Sequence, residues 1–119
     1  MASATPSSSS SQVRVGVRIR PLASKEISQG GQGCLNVVAP SIGIGQRQFT
    51  YDTVFDTHIS QQDLYDNIAT PLLTSFTAGY NATIMAYGQT GSGKTFTMGS
   101  EAHTEPETAS HAGLIPRFV

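Results

Sequence analysis

The segment at residues 88–95 constrains the fold of this chain more than any other. It matches the phosphate-loop pattern G-x-x-x-x-G-K-[ST] with the residues Gly88, Gln89, Thr90, Gly91, Ser92, Gly93, Lys94 and Thr95. An apolar run of strand length, Ala82–Tyr87, precedes the loop, and residues 94–98 predict a helix directly after it. A flexible glycine-rich turn could match by accident, but the flanking strand and helix favour a layered α/β fold.

The residue types of this loop suit the binding of phosphate groups. Glycines at three positions permit backbone angles that other residues avoid, so that successive amides can turn towards an anion. Lys94 supplies a positive charge for the β- and γ-phosphates, and the Thr95 hydroxyl is a ligand for the Mg²⁺ that bridges them. A dinucleotide-binding loop is excluded because Phe96 stands where its third glycine is required.

Short strands are predicted before the loop. Apolar and polar residues alternate from Val13 to Arg20, and Pro21 ends this pattern, which predicts a strand over 13–20. Residues 23–33 are typical of a surface loop. A small antiparallel lobe is then predicted from three β-like pieces at 35–38, 42–44 and 47–55.

One long amphipathic helix is predicted over residues 61–78. Ser60 is a typical N-cap residue, and apolar residues recur every four positions from Leu64 to Phe76 until Gly79. Pro71 lies inside this pattern and cannot donate a backbone hydrogen bond. We therefore expect a kink or a local break near residues 67–71.

Composition limits the classes of function. The 119 residues carry 7 Lys and Arg against 8 Asp and Glu, a net charge of −1, which disfavours binding to nucleic acid or to an anionic membrane. The length allows one small domain or a piece of a larger one and excludes a multidomain enzyme. A single cysteine, Cys34, and the lack of a signal or membrane-spanning run predict a reducing, cytosolic location.

Two segments are expected to be solvated. Residues 1–12 are rich in serine and poor in apolar groups, which predicts a disordered arm before a domain over 13–119. Residues 99–113 contain acidic and histidine side chains whose spacing fits no metal template, so we expect an acidic surface loop rather than a metal site. The side chains concerned are Glu101, His103, Glu105, Glu107 and His111. His58 is isolated and is predicted to lie at the surface or in a turn.

Four stretches of this chain together resemble the kinesin motor domain, over residues 13–119. They are Val13–Leu22 (VRVGVRIRPL), Phe49–Phe55 (FTYDTVF), Gly79–Gly99 (GYNATIMAYGQTGSGKTFTMG) and Gly113–Arg117 (GLIPR). Within the family, the combination of RIRPL, a Lys25-Glu26 pair, YDTVFD and GLIPR looks most like the chromosome-associated, or kinesin-4, group.

The resemblance implies a fold, an activity and a base-binding site. The fold is a P-loop NTPase of the kinesin motor type, with a mostly parallel or mixed central sheet and helices on both faces, of which this chain is the first third. The activity is that of an ATP-dependent microtubule motor, with ATP and Mg²⁺ as cofactors. Arg18, Arg20 and Pro21, in the motif R-x-R-P, are expected beside the adenine, and Phe96 is expected to stack on its other face. From the residues alone, the two arginines equally suit a solvated strand face and Phe96 suits a core position.

Parts of the family pattern have no counterpart in this sequence. Neither the N-x-x-S-S-R-S-H switch nor the D-x-x-G-S-E switch occurs. We therefore expect no catalytic residue here and no turnover by this chain alone. The resemblance places microtubule binding and a homodimeric coiled coil beyond Val119. It implies a location on the cytoplasmic microtubule cytoskeleton, with a nuclear, chromosome-associated location as the alternative.

Two other hypotheses compete with the motor. A truncated product or an incomplete gene model would bind nucleotide at most, and the short sheet that we expect in this chain favours it. A small-molecule kinase is disfavoured because such folds usually place the phosphate loop after their first strand, whereas about 80 residues precede it here.

Overall fold

The computed structural model describes residues 13–99 and 110–118. Its elements, in chain order, are β1 (Gly16–Arg18), α1 (Ser24–Ser28), β2 (Leu35–Val38), β3 (Ser41–Ile44), β4 (Arg47–Thr50), β5 (Thr53–Phe55), α2 (Gln61–Thr77), α3 (Lys94–Met98) and α4 (Leu114–Arg117). The predicted serine-rich arm and most of the predicted acidic loop lie outside the described residues. No helix within the described ranges is long and apolar enough to cross a membrane.

Strand β1 pairs in parallel with β5, with Val17 opposite Val54. The pairing extends by one bond at its end, where the Ile19 amide donates to the Phe55 carbonyl at 2.8 Å. At its start the Val15 amide donates to the Asp52 carboxylate at 2.7 Å. The strand predicted over 13–20 is therefore confirmed only at its centre, because β5, with which it pairs, has three residues.

The predicted antiparallel lobe is confirmed as a three-stranded sheet in the order β2, β3, β4. The Ser41 and Thr50 hydroxyls are hydrogen-bonded to each other at 2.8 Å across β3 and β4. The piece predicted over 47–55 is not one strand, however. It divides at residues 51–52, so that β4 belongs to this sheet and β5 to the parallel pair.

The segment predicted as a surface loop, residues 23–33, contains the helix α1. The Glu26 carboxylate accepts a hydrogen bond of 2.6 Å from the Ala23 amide at the start of this helix. A carboxylate at this position satisfies a donor that the helix itself leaves unpaired. The helix is short and has no buried residue, which explains why no apolar pattern predicts it.

Helix α2 begins at the predicted residue. The Ser60 hydroxyl accepts from the Asp63 amide at 3.0 Å, as expected of an N-cap. The helix continues through Pro71 to Thr77, so the predicted local break is wrong, and the kink that was its alternative stays a prediction. Leu64 and Ala69, in the turns before the proline, are fully buried, and this packing stabilises the helix where one backbone bond is lost.

The core lies where α2 meets β5 and α4. Phe55, Leu64, Ala69 and Leu114 are buried together, and half-buried apolar side chains pack around them. Those side chains are Ile59, Tyr65, Ile68, Ile84 and Met98. Tyr65 also contacts Phe118 edge to face, with ring centroids 5.5 Å apart.

The strand predicted at Ala82–Tyr87 does not form in this structure. Ile84 packs against the core, but Met85 and Tyr87 are 81% and 100% exposed, so only one face of the segment is covered. An interior strand needs hydrogen-bonded neighbours, and no strand of the described chain pairs with these residues. The apolar run therefore lies beside the core without joining a sheet.

Gly99 and Gly113 bring together the two ends of the segment between α3 and α4. A Cβ atom placed on Gly113 would lie 2.6 Å from the Gly99 Cα. This contact involves main-chain atoms on both sides, so it cannot be relieved by a side-chain rotation. Glycine is required at position 113 because its main chain lies so close to that of Gly99.

We predict that Gly113→Ala lowers the free energy of unfolding by about 1–3 kcal/mol, because the added methyl group overpacks against the main chain. Gly33→Ala is the matched control, since a Cβ atom at Gly33 meets nothing within 4 Å. Urea unfolding of both variants measures the difference. A Gly113→Ala midpoint equal to that of Gly33→Ala would show that the two segments do not meet.

Candidate functional site

A cavity of about 480 Å³ lies between β1, the start of α2 and α3. Residues predicted for the nucleotide site contribute to its wall from two distant parts of the sequence. They are Arg18, Arg20, Pro21, Ser92, Gly93, Lys94 and Phe96. Gln89 lines a second cavity, of about 370 Å³, together with Arg18, Arg20 and Ser92. Four other residues of the loop, Gly88, Thr90, Gly91 and Thr95, line neither of these two cavities.

The phosphate loop turns sharply at two glycines. Gly91 and Gly93 have φ values of +81° and +100°, in the left-handed region that side chains rarely adopt. Gly93 is also the N-cap of α3, and no side chain caps this end of the helix. The backbone thus enters α3 in a conformation that depends on glycine.

The Lys94 ammonium group lies over the loop. It donates to the Gly88 carbonyl at 2.5 Å and to the Gln89 carbonyl at 2.9 Å. Thr95 follows in the first turn of α3 and is exposed. A cation held inside a glycine loop, beside an exposed hydroxyl, is a donor set that fits a nucleotide phosphate and Mg²⁺.

Arg18 projects from β1 onto α3. Its guanidinium carbon lies 5.1 Å from the centroid of the Phe96 ring, which is a cation–π contact. Its Nη1 atom donates to Thr97 Oγ1 at 3.0 Å, and burial lowers the pKa of Arg18. Within the described ranges, no carboxylate pairs with this cation.

The distance between Arg18 and Phe96 decides whether an adenine base fits between them, as the predicted site with one group on each face of the base requires. A base stacked between the two groups needs about 7 Å, twice an optimal carbon contact. The observed 5.1 Å is too short. A base on Phe96 must therefore displace the guanidinium or contact the stem of Arg18 instead, and the two-sided arrangement stays a prediction.

Sequence reasoning missed Gln61, the first residue of α2, which is 5% exposed. Its Oε1 atom accepts from Arg18 Nη1 at 2.7 Å. Its Nε2 atom donates to the carbonyls of Phe96 and His111, at 2.8 and 3.1 Å. No sequence signal distinguishes Gln61 from an exposed residue in the first turn of a helix, because its partners are 35 to 50 residues away.

Arg20 has a different environment from Arg18. Its two terminal nitrogens donate to the two Glu26 oxygens at 2.7 and 3.0 Å. The hydrogen bond from Arg20, followed by that from the Ala23 amide, lowers the pKa of Glu26 to about 2. Arg20 thus lines the cavity while paired with α1, a partner that the sequence analysis did not predict.

Comparisons with known proteins agree on the family. The model of the kinesin motor domain matches residues 18–119. The chain is 47% identical over 110 residues to the chromosome-associated kinesin KIF4 of Mus musculus, and 43% identical over 118 residues to the kinesin-like protein KIN-4A of Arabidopsis thaliana. These matches cover 90% and 97% of this chain. This chain belongs to the kinesin motor domain family.

A solved kinesin structure supports the same assignment at the level of the fold. It describes a fast kinesin, superposes with a TM-score of 0.82 at 37% identity, and covers 93% of this chain. The predicted fold, a P-loop NTPase of the kinesin motor type, is therefore confirmed. This kinesin chain spans 32% of that solved chain and 9% of the mouse relative.

We predict that Arg20→Met raises the pKa of Glu26 towards its ordinary value of 4.5, because the largest cause of its depression is removed. Carbon NMR of the Glu26 carboxyl group during a pH titration measures this pKa. Since the folded-state pKa is the lower one, the pair stabilises the fold above about pH 4.5, and the contribution is lost as the pH falls towards 2.

Arg14→Met is the control, because Arg14 is exposed and is not part of this ion pair. It should leave the Glu26 midpoint near 2. An unchanged midpoint in Arg20→Met would contradict the pairing.

Proposed function

We propose that this chain is the amino-terminal part of an ATP-dependent microtubule motor and that it carries the ATP-binding loop. The observation that carries the proposal is the Lys94 ammonium group held over the loop at residues 88–95 in a kinesin fold. The solved fast kinesin was described with implications for ATPase mechanism and for interactions with microtubules. The proposed domain extends over 13–119, after a serine-rich arm at 1–12.

The loop residues would hold the phosphates by charge and by backbone amides. Gly91 and Gly93 set the turn, and Gly88, Gln89, Thr90 and Ser92 complete it. Lys94 would exchange its carbonyl partners for phosphate oxygens, which are stronger acceptors because they are charged. Thr95 would ligate Mg²⁺ through its hydroxyl. When bound, Mg-ATP supplies the γ-phosphoryl group whose transfer to water drives such motors.

The base would lie at the other end of the site. Pro21 and the stem of Arg18 offer apolar surface beside the Phe96 ring, and these groups line one cavity. Arg20 would act through its position next to Pro21, because its charge is already paired with Glu26. The mechanism of binding is thus a charged cradle for phosphate joined to a flat surface for the base.

Turnover needs groups that this chain lacks. The switch sequences that sense the γ-phosphate do not occur here, so we assign no catalytic residue to this chain. In the complete motor, we propose that microtubules bind through other regions and that a coiled coil forms a homodimer. We place the motor on cytoplasmic microtubules, with a chromosome-associated location as the alternative that the kinesin KIF4 relatives suggest.

We predict that Lys94→Ala weakens Mg-ATP binding on the order of 100-fold, because a charge-assisted contact to phosphate is lost. Titration calorimetry on the full polypeptide that the gene encodes measures the affinity. Lys25→Ala in α1 is the control and should bind as the wild type does. Tight Mg-ATP binding by Lys94→Ala would refute the role given to Lys94.

Sequencing the transcript beyond the Val119 codon tests the motor against the alternative of a truncated product. The motor hypothesis expects an open reading frame that continues into both switch sequences. A stop codon directly after Val119 would leave a product with at most nucleotide binding, and the ATPase assignment would fail for it.

A further inference from the structure

Gln61 is a buried polar residue whose carboxamide makes three hydrogen bonds, two of them to residues of the candidate base site. Its carboxamide oxygen accepts from Arg18, and its two other hydrogen bonds go to the main chain of Phe96 and His111. Among the described side chains, no buried polar atom lacks a partner, so this arrangement is fully satisfied. A satisfied buried amide fixes the groups around it in one geometry.

The side chains that accept hydrogen bonds from Arg18 are neutral. A half-buried cation is costly unless it is paired, and a structural contact would be cheaper with a carboxylate or with apolar groups. Arg18 instead has two neutral acceptors, Gln61 and Thr97, which orient the guanidinium without cancelling its charge. The charge stays available to a ligand beside Phe96.

Gln61 is also hydrogen-bonded to the main chain of Phe96, whose ring contacts Arg18. Its Nε2 atom binds the Phe96 carbonyl, so one side chain sets both the guanidinium of Arg18 and the backbone that carries the ring. The guanidinium and the ring that these bonds hold lie 5.1 Å apart. Loss of the carboxamide removes one hydrogen bond from each of the two groups at once.

We propose that Gln61 is the positioning residue of the nucleotide-base site, where it fixes the Arg18 guanidinium and the Phe96 backbone so that an adenine base contacts the stem of Arg18 beside the ring. The inference rests on the proposed function and assigns a role to a residue outside the phosphate loop. Within the described structure, Gln61 forms no hydrogen bond with any residue of the phosphate loop at 88–95. We therefore expect its effect on affinity to depend on the presence of a base.

The test compares two ligands that share a triphosphate chain, Mg-ATP and Mg-tripolyphosphate, of which only the first has a base. Titration calorimetry is performed on the full encoded polypeptide and on its Gln61→Met variant, which keeps the length of the side chain and loses its hydrogen bonds. We expect Gln61→Met to bind Mg-ATP about tenfold more weakly and Mg-tripolyphosphate as the wild type does.

Gln62→Met is the matched control. It makes the same chemical change at the next position, where the exposed side chain contacts Asp66 and Arg117 instead of Arg18. We expect its affinities for both ligands to equal those of the wild type. Equal losses for both ligands in Gln61→Met would indicate a general structural role and overturn the inference, as would no loss for either.

Thr97→Val provides a second, milder variant that decides the matter if Gln61→Met does not fold in thermal unfolding experiments. It removes the other acceptor of Arg18 while keeping the shape of the side chain. A selective loss of Mg-ATP affinity supports the inference, and an unselective loss or none contradicts it. Failure of the wild-type protein to bind either ligand would instead contradict the proposed function, and the inference would fall with it.

Discussion

The buried Gln61 carboxamide is the interaction on which the site depends. Its three hydrogen bonds connect β1, the start of α2, α3 and the residues just before α4, which are far apart in the sequence. Because the carboxamide has both an acceptor and donors, it can join an arginine on one side to main-chain carbonyls on the other. A hydrophobic side chain of the same size could pack here but could not orient Arg18.

The hydrophobic core lies next to the hydrogen bonds of Gln61 and holds helix α2 in place. Leu64 is the inward residue one turn after Gln61, and it is buried with Phe55 and Leu114, so the same helix face serves the core and the site. The apolar segment before the phosphate loop contributes less. Met85 and Tyr87 are exposed, since the described residues provide no strand beside them, and the solved kinesin relative has a chain about three times as long.

Local patterns predicted a large part of this structure. Helix α2 and strand β2 follow from apolar spacing and from capping and turn residues that lie within a few positions of each other. The phosphate loop follows from its glycines and Lys94, and the family resemblance from four longer stretches. These features are encoded by neighbours in the sequence, so one sequence is sufficient to find them.

The features that local patterns did not predict depend on contacts with other parts of the chain or on surface ion pairs. The strand over 13–20 is short because β5 is short, and Ala82–Tyr87 forms no strand because a strand depends on partners elsewhere in the chain. Gln61 and Thr97 were missed because their partner, Arg18, is 43 and 79 residues away. Helix α1 was missed since its stabilising bonds involve Glu26 and Arg20 rather than a buried face.

The measurement that tests the central claim most directly is the rate of phosphate release from Mg-ATP by the full encoded polypeptide, with and without polymerised microtubules. The account predicts slow release by the polypeptide alone and a marked acceleration by microtubules, which saturates as their concentration rises. A rate that microtubules leave unchanged, in a folded protein that binds Mg-ATP, would contradict the proposal that this chain is part of a microtubule motor.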